Sequence, residues 1–381
     1  VGEDEVTSEP VGALGPSDPT PEDVDALVGS PPRSLGRRLL SGVLTYGVVV
    51  LALWFLVKQV RSSGGIGDAL ALIQPGQVAA MVVLGVVNLA TNWPPITIAL
   101  PGLRLREAAV TNTASAALSN TVPEGGAVAT ALNVAMLRSW GFTIRDITSE
   151  ILVTGTWSQL TKYVLLVLTL GLVVLQGTAP SGAGGWALLL AALVAVAVVL
   201  LLLVLRSEGF ALRLGRFVDS FLTRVTSWVR HPTHTHFADD VPRFRTGMVG
   251  LLRVRWGRLT VAMIVSLLTA GSILYVACLM QGLGGTVTWS LAMTAYGLAT
   301  FASLLVPTPG GLGVAEVVLV SVLSWAAPES AQAAVLAAVL LYRLATFLVP
   351  IPIGLVTYLY WRRSTAWRAP LDSKPVDLAT L

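Results

Sequence analysis

The chain predicts an all-α integral membrane protein with about six full spans and two re-entrant helical hairpins in an inverted-topology repeat. Three observations carry that expectation. Hydrophobic residues fill 54% of 381 positions, Asp, Glu, Lys and Arg only 12%, and mean hydropathy is +0.74. A soluble domain carries about 25% charge, so this chain is too poor in charge to coat a water-facing surface of its size. Several runs, such as Leu188 to Leu205, hold no charge over about 18 residues, the length that crosses a bilayer as a helix. Two Pro/Gly-rich interruptions also fall at corresponding places in the two halves.

Residues 1–34 carry Glu3, Asp4, Glu5, Glu9, Asp18, Glu22, Asp23 and Asp25 among several prolines. They read as a disordered acidic tail. The first apolar run after it is too long for the core of a signal peptide, so no cleaved leader is expected. The membrane domain is expected over 35–363. Its spans fall at about Leu39 to Val60, Gln77 to Leu100, Ile147 to Gln176, Trp186 to Leu205, Leu259 to Met280 and Ala331 to Trp361. Residues 35–176 form the first repeat and 186–363 the second, with a cytoplasmic tail at 364–381.

Orientation follows from counting basic residues, because cytoplasmic loops are enriched in Lys and Arg. With the N-terminus inside, 21 of the 25 basic residues face the cytoplasm. Lys58 and Arg61 fall outside, and Lys162 and Arg343 fall within spans. A multi-pass membrane protein with both termini cytoplasmic is therefore expected. The central loop, 206–258, contributes ten arginines. Within it Phe210, Leu212, Phe217, Phe221, Leu222, Val225 and Trp228 recur at roughly helical spacing, as in an amphipathic helix lying on the inner leaflet. This loop could also dock a cytoplasmic envelope-synthesis enzyme.

The interruptions read Ala117-Leu-Ser-Asn-Thr-Val-Pro-Glu-Gly-Gly-Ala-Val-Ala and Ser303-Leu-Leu-Val-Pro-Thr-Pro-Gly-Gly-Leu-Gly-Val-Ala-Glu316. Glu107 to Ser119 spans roughly 20 Å as a helix, short of the roughly 30 Å hydrocarbon core. Such a segment dips in and returns. Counting spans makes the first hairpin enter from the cytoplasm and the second from outside, which is the parity of an inverted repeat with a site near the midplane. Non-helical backbone at that depth is tolerated where protein or a watery cavity satisfies it. The restarting helices would offer free amides to an anion.

Ionisable groups at membrane depth are costly and usually face a cavity or a partner. Lys162, Arg343, Glu316 and Glu124 are those groups here. Asn120, Pro123, Gly125 and Gly126 of the first loop, Pro307, Pro309, Gly310, Gly311 and Gly313 of the second, and Tyr342 complete the candidate substrate-binding set. Asn88, Asn92, Asn133, Ser158 and Gln159 could line the same cavity. A structural ion pair between Glu316 and Arg343 is the alternative reading.

Other chemistry is sparse. The single cysteine, Cys278, lies in an apolar run and reads as a core residue. His231, His234, His236, Asp239 and Asp240 cluster at spacings that could hold a metal, but such a loop is usually just solvated and no metal site is assigned. No G-x-x-x-x-G-K-[ST] sequence occurs. No cofactor, nucleic-acid partner or enzymatic activity is expected.

The second interruption, Val306-Pro-Thr-Pro-Gly-Gly-Leu-Gly-Val-Ala-Glu316 with Tyr342-Arg343 beyond it, resembles the lysylphosphatidylglycerol synthase transmembrane family. Ser119-Asn-Thr-Val-Pro-Glu-Gly-Gly126 resembles that family's first Pro-Gly loop. In many members an arginine soon follows that loop. Here Ala129, Thr130 and Ala131 stand there and the next arginine is Arg138. The resemblance implies transbilayer movement of a phospholipid, glycolipid or polyprenyl-phosphate lipid with an anionic headgroup. It points to Pro307, Pro309, Gly310, Gly311, Gly313, Glu316 and Arg343. Bifunctional relatives attach a soluble aminoacyl-transferring domain, whereas 18 residues follow Arg363 here, so lysine addition to lipid is not expected. A non-catalytic membrane partner of a cytoplasmic glycosyltransferase or lipid synthase, and a lipid-modifying membrane enzyme, are the alternative functions.

Overall fold

The computed structural model describes residues 65–121, 125–206, 209, 213, 237–305 and 308–364, some of them, including 237–254, by backbone alone. The acidic tail, the expected first span, most of the basic loop with its amphipathic helix, and His231, His234 and His236 lie outside these residues. So do Pro123, Glu124 and Pro307. The described residues belong to one compact unit, 45–381, and every regular element among them is helical.

In chain order the α-helices are α1 (Gly65–Ala71), α2 (Pro75–Thr91), α3 (Trp93–Ala99), α4 (Leu105–Thr121), α5 (Gly125–Ser139) and α6 (Ile144–Leu175). They continue as α7 (Ala183–Arg206), α8 (Phe237–Met280), α9 (Trp289–Leu305), α10 (Val314–Leu323), α11 (Gln332–Arg343) and α12 (Pro350–Arg363). Four helical stretches are long and apolar enough to cross a membrane: Pro75–Ala99, Ile144–Leu175, Arg255–Met280 and Glu329–Arg363. They coincide with the expected second, third, fifth and last spans. The expected fourth span is the 24-residue α7.

Helix boundaries follow local chemistry. At the start of α6 the Asp146 amide donates to Thr143 Oγ1 and the Thr143 amide donates to Asp146 Oδ2, at 3.2 and 3.3 Å. This reciprocal cap satisfies two amides that the first turn would otherwise leave without partners. Between α2 and α3 the chain breaks at Asn92 because Pro94 and Pro95 carry no N–H and crowd the preceding turn. The freed carbonyl of Asn88 accepts hydrogen bonds from Thr91 Oγ1 and Asn92 Nδ2, each at 2.7 Å. Pro350 and Pro352 similarly cannot donate into the turn before them. There the helix widens into a π turn over Leu344–Leu348, with the Val349 amide bonded to the Leu344 carbonyl at 3.0 Å.

Two helix pairs fold back across Pro/Gly breaks. Helices α4 and α5 pack on each other on either side of 122–124, and α9 packs on α10 on either side of 306–313. The first arm, α4, is longer than the expected Glu107 to Ser119, at 17 residues, and α5 has 15. The loop 309–311 packs on α4, so the two breaks adjoin. A further difference concerns the basic region 206–258. Its last part is not loop: α8 begins at Phe237 and runs unbroken for 44 residues. Propagating an existing helix needs no new nucleus, and arginine is a good helix former, so the charges ahead of the apolar run do not end it.

Close packing holds α4 and α12 together. A Cβ on Gly354 would collide with the Thr113 carbonyl and the Ala117 side chain, and one on Gly85 would sit 2.5 Å from the Ala345 carbonyl oxygen. Small residues let helix backbones approach where no hydrophobic force separates helix from lipid. Cross-helix hydrogen bonds add register. Trp157 Nε1 donates to Thr260 Oγ1 at 2.8 Å, Gln77 Nε2 to the Met280 carbonyl at 2.9 Å, and Ser266 Oγ to Asn92 Oδ1 at 2.8 Å. Cys278 is fully buried in the apolar core. The outer surface is apolar instead of polar, with Leu168, Leu188, Leu193, Val261 and Val356 all more than half exposed. Polar groups turned inward and leucines turned outward are the arrangement a bilayer stabilises.

Candidate functional site

The inward polar groups converge on one cavity of about 520 Å³, within the range of small-molecule sites. The helices α2 to α6, α8, α9 and α11, the Gly-rich loop and the π turn all contribute walls. Each wall owes its polarity to a feature already described. The Asn92 break brings Asn88 and Asn92 to the cavity, the α4–α5 pair brings Asn112, Asn120 and Asn133, and the π turn brings Thr346 and Phe347.

Helix α6 supplies the longest wall. Glu150, Thr154, Ser158 and Lys162 all line it. Four-residue steps keep side chains on one helix face, so a charged and hydroxyl-bearing stripe runs along an otherwise apolar helix. Glu150 is 3% exposed. Its Oε1 accepts a hydrogen bond from Thr154 Oγ1 at 3.1 Å, while Oε2 is buried with no partner. The Lys162 ammonium makes no hydrogen bond or ion pair with another described residue.

Arg343 stands in a different situation. Its Nε lies 2.5 Å from Glu316 Oε1, its Nη2 donates to the Gly310 carbonyl at 2.9 Å, and its guanidinium sits 4.9 Å from the centre of the Phe347 ring. The other carboxylate oxygen of Glu316 accepts the Gly313 amide at 2.6 Å. Glu316 thus caps its own helix α10 and clamps Arg343 to the loop. Gly310, Gly311 and Gly313 hold φ of 56°, 70° and 82°, in the left-handed region that L side chains avoid. The Gly311 amide is bonded to the Thr308 carbonyl at 3.0 Å. Two of the amides expected from sequence to face a ligand at this loop, those of Gly311 and Gly313, are therefore spent within the protein.

Of the residues singled out from sequence, the structure brings Lys162, Arg343, Tyr342, Asn120 and Gly310 to the cavity wall, together with Asn88, Asn92, Asn133 and Ser158. Glu316, Gly311 and Gly313 sit behind the wall in the clamp. Gly125 is buried where a Cβ would strike the Leu118 and Ser119 carbonyls, and Gly126 is exposed; neither lines the cavity. Pro309 belongs to the 309–311 turn. Gln159 lies outside the lining because one residue beyond Ser158 is about 100° round the helix. Sequence reading missed Glu150, Asn112, Thr154, Ser266 and Tyr296, all of which line the cavity. The four-residue stripe ending at Lys162 was the available signal for Glu150 and Thr154. Among the described residues no cluster of His, Cys, Asp and Glu could hold a metal ion.

No curated protein matches the chain. The family model for the lysylphosphatidylglycerol synthase TM region matches residues 39–354, which include the cavity, the clamp and both helix pairs. The chain belongs to the lysylphosphatidylglycerol synthase transmembrane family.

Proposed function

We propose that this protein moves a lipid across the bilayer by taking its headgroup into the cavity, with the acyl or prenyl chains left among the surrounding lipids. The observation that carries the reading is the cavity itself. It is a polar hollow lined by apolar membrane helices, and it holds a lysine without a partner among the described residues together with a buried carboxylate. Burying such groups is costly unless something else meets them. A phospholipid, glycolipid or polyprenyl-phosphate headgroup brings both an anionic oxygen for Lys162 and polar groups for the remaining wall.

In this reading the protein has about six spans and two hairpins entering from opposite faces. Both termini are cytoplasmic, in a bacterial plasma membrane. Lys162 holds the phosphate. Arg343 shapes the pocket at the meeting of the two breaks, and the Glu316 clamp sets its position. The family membership supports a role with membrane lipid. Proteoliposomes with a fluorescent phospholipid test it: added protein should speed chemical quenching of inner-leaflet label, and Lys162→Ala should abolish that gain while melting like the parent. Unchanged movement in Lys162→Ala, or no movement with the parent protein, would remove the reading.

The length of α8 favours a second, compatible role. Forty-four residues extend about 66 Å as a helix, roughly twice the hydrocarbon thickness. Its first part, 237–254, precedes the apolar window at Arg255–Met280. That arm suits docking of a cytoplasmic envelope-synthesis enzyme, and copurification with and without 237–254 tests it.

A further inference from the structure

The composition of the cavity wall points to the kind of headgroup it takes, an inference that rests on the translocation reading and narrows it. The chain contains five asparagines, at positions 88, 92, 112, 120 and 133, and all five line this one cavity. A primary amide presents two donors and two acceptor lone pairs. Few of these are used by the protein. Asn133 Oδ1 accepts from Thr111 Oγ1 at 3.1 Å, Asn120 Nδ2 donates to the Phe347 carbonyl at 3.0 Å, and Asn92 is bonded at both ends as described. Asn88 Oδ1 is buried with no partner, and Asn112 makes no hydrogen bond with another described residue. Ser158, Thr154, Tyr296 and the unpartnered oxygen of Glu150 add more hydroxyl and carboxylate groups.

Charge and hydrogen-bonding capacity together narrow the choice further. The formal charges of the cavity residues Lys162, Arg343 and Glu150, with that of Glu316 behind Arg343, sum to zero. A quaternary ammonium could meet the Glu150 carboxylate but has neither donor nor acceptor, so it would leave the asparagine amides without partners. A bare phosphate, chiefly an acceptor, would give Asn88 Oδ1 and Glu150 Oε2 no donor, and a buried polar group without a partner is costly. Closely spaced hydroxyls, each both donor and acceptor, match amides and a carboxylate oxygen together.

We infer that the cavity selects lipids whose phosphodiester carries an uncharged polyol or sugar, with Lys162 on the phosphate and the asparagines and Glu150 on the hydroxyls. Two measurements on the full chain separate this from the translocation reading. The first is binding of soluble headgroups to detergent-purified protein, with glycerophosphoinositol, glycerophosphocholine and inorganic phosphate as probes. Glycerophosphoinositol should bind about tenfold or more tightly than either of the others, the size of one hydrogen bond to an otherwise unpaired group. Asn112→Leu should erase most of that preference. The second is movement of fluorescent phosphatidylinositol and phosphatidylcholine in proteoliposomes. Equal binding of all three probes by the parent protein, or preference for choline, overturns the inference, and that ranking needs no variant to fold. Selective binding with no lipid movement leaves the headgroup assignment standing and removes translocation. Equal movement of both lipids without selective binding does the reverse.

Discussion

The two walls of the cavity differ in how much of their bonding capacity is already spent. The wall from the second half of the chain is committed. Arg343 is tied to Glu316, to the Gly310 carbonyl and to the Phe347 ring, and Glu316 is tied to Gly313. The wall from the first half is open. Lys162 and Asn112 have no partner among the described residues, and Glu150 Oε2 and Asn88 Oδ1 are buried without one. The difference teaches that the conspicuous motif, Pro-Thr-Pro-Gly-Gly with its glutamate and arginine, works as a rigid frame. Most of the amide and charged groups with capacity left for a ligand lie on the quieter side.

The contrast can be broken most severely at the clamp. Glu316→Ala would leave Arg343 charged at depth and the Gly313 amide unbonded. Removing one partner of a buried ion pair costs about 3–5 kcal/mol, so thermal unfolding in detergent should show a large loss of stability. A melting temperature like the parent's would mean the clamp is no frame. Next comes Gly311→Ala. Its φ of 70° and a Cβ position 2.7 Å from Ser303 Oγ combine backbone strain with a clash, and about 1–3 kcal/mol is expected, read by the same melt.

Substitutions in the open wall should show the reverse pattern. Asn112→Leu should change stability by less than about 1 kcal/mol, because no protein hydrogen bond is lost, yet lower headgroup binding. Lys162→Met should leave the melting temperature equal to or above the parent's, since a desolvated charge is removed, while lipid movement is lost. If both variants unfold as readily as Glu316→Ala, the two walls are equivalent and the comparison fails.

Much of this architecture was legible in the sequence, for identifiable reasons. Long uncharged runs specify helices at membrane depth, and four expected spans coincide with helices of the right length. Charges inside such runs are rare enough that Lys162 and Arg343 stood out, and both line the cavity. Glu150 was missed because it lies near the start of its helix, where a carboxylate reads as a water-facing boundary residue. Asn112 was missed because its segment is only mildly apolar, and a single asparagine there looks like a packing hydrogen bonder. That all five asparagines meet in one place depends on tertiary packing. The Asn92 break, the α4–α5 pair and the Asn133 helix face come together only through contacts distant in sequence. The backward extension of α8 to Phe237 was hidden by its arginines, which read as loop by charge but propagate a helix at little cost.

The exposure of the open wall to water and headgroups can be measured by placing a thiol there. The native Cys278 is fully buried and serves as the internal control. Ser158→Cys, treated with a charged, membrane-impermeant thiol reagent in proteoliposomes, should label readily, and glycerophosphoinositol should slow the labelling, while Cys278 stays unmodified. A Ser158→Cys protein that resists the reagent as fully as Cys278 does, from both sides of the bilayer, would contradict a headgroup cavity at this site.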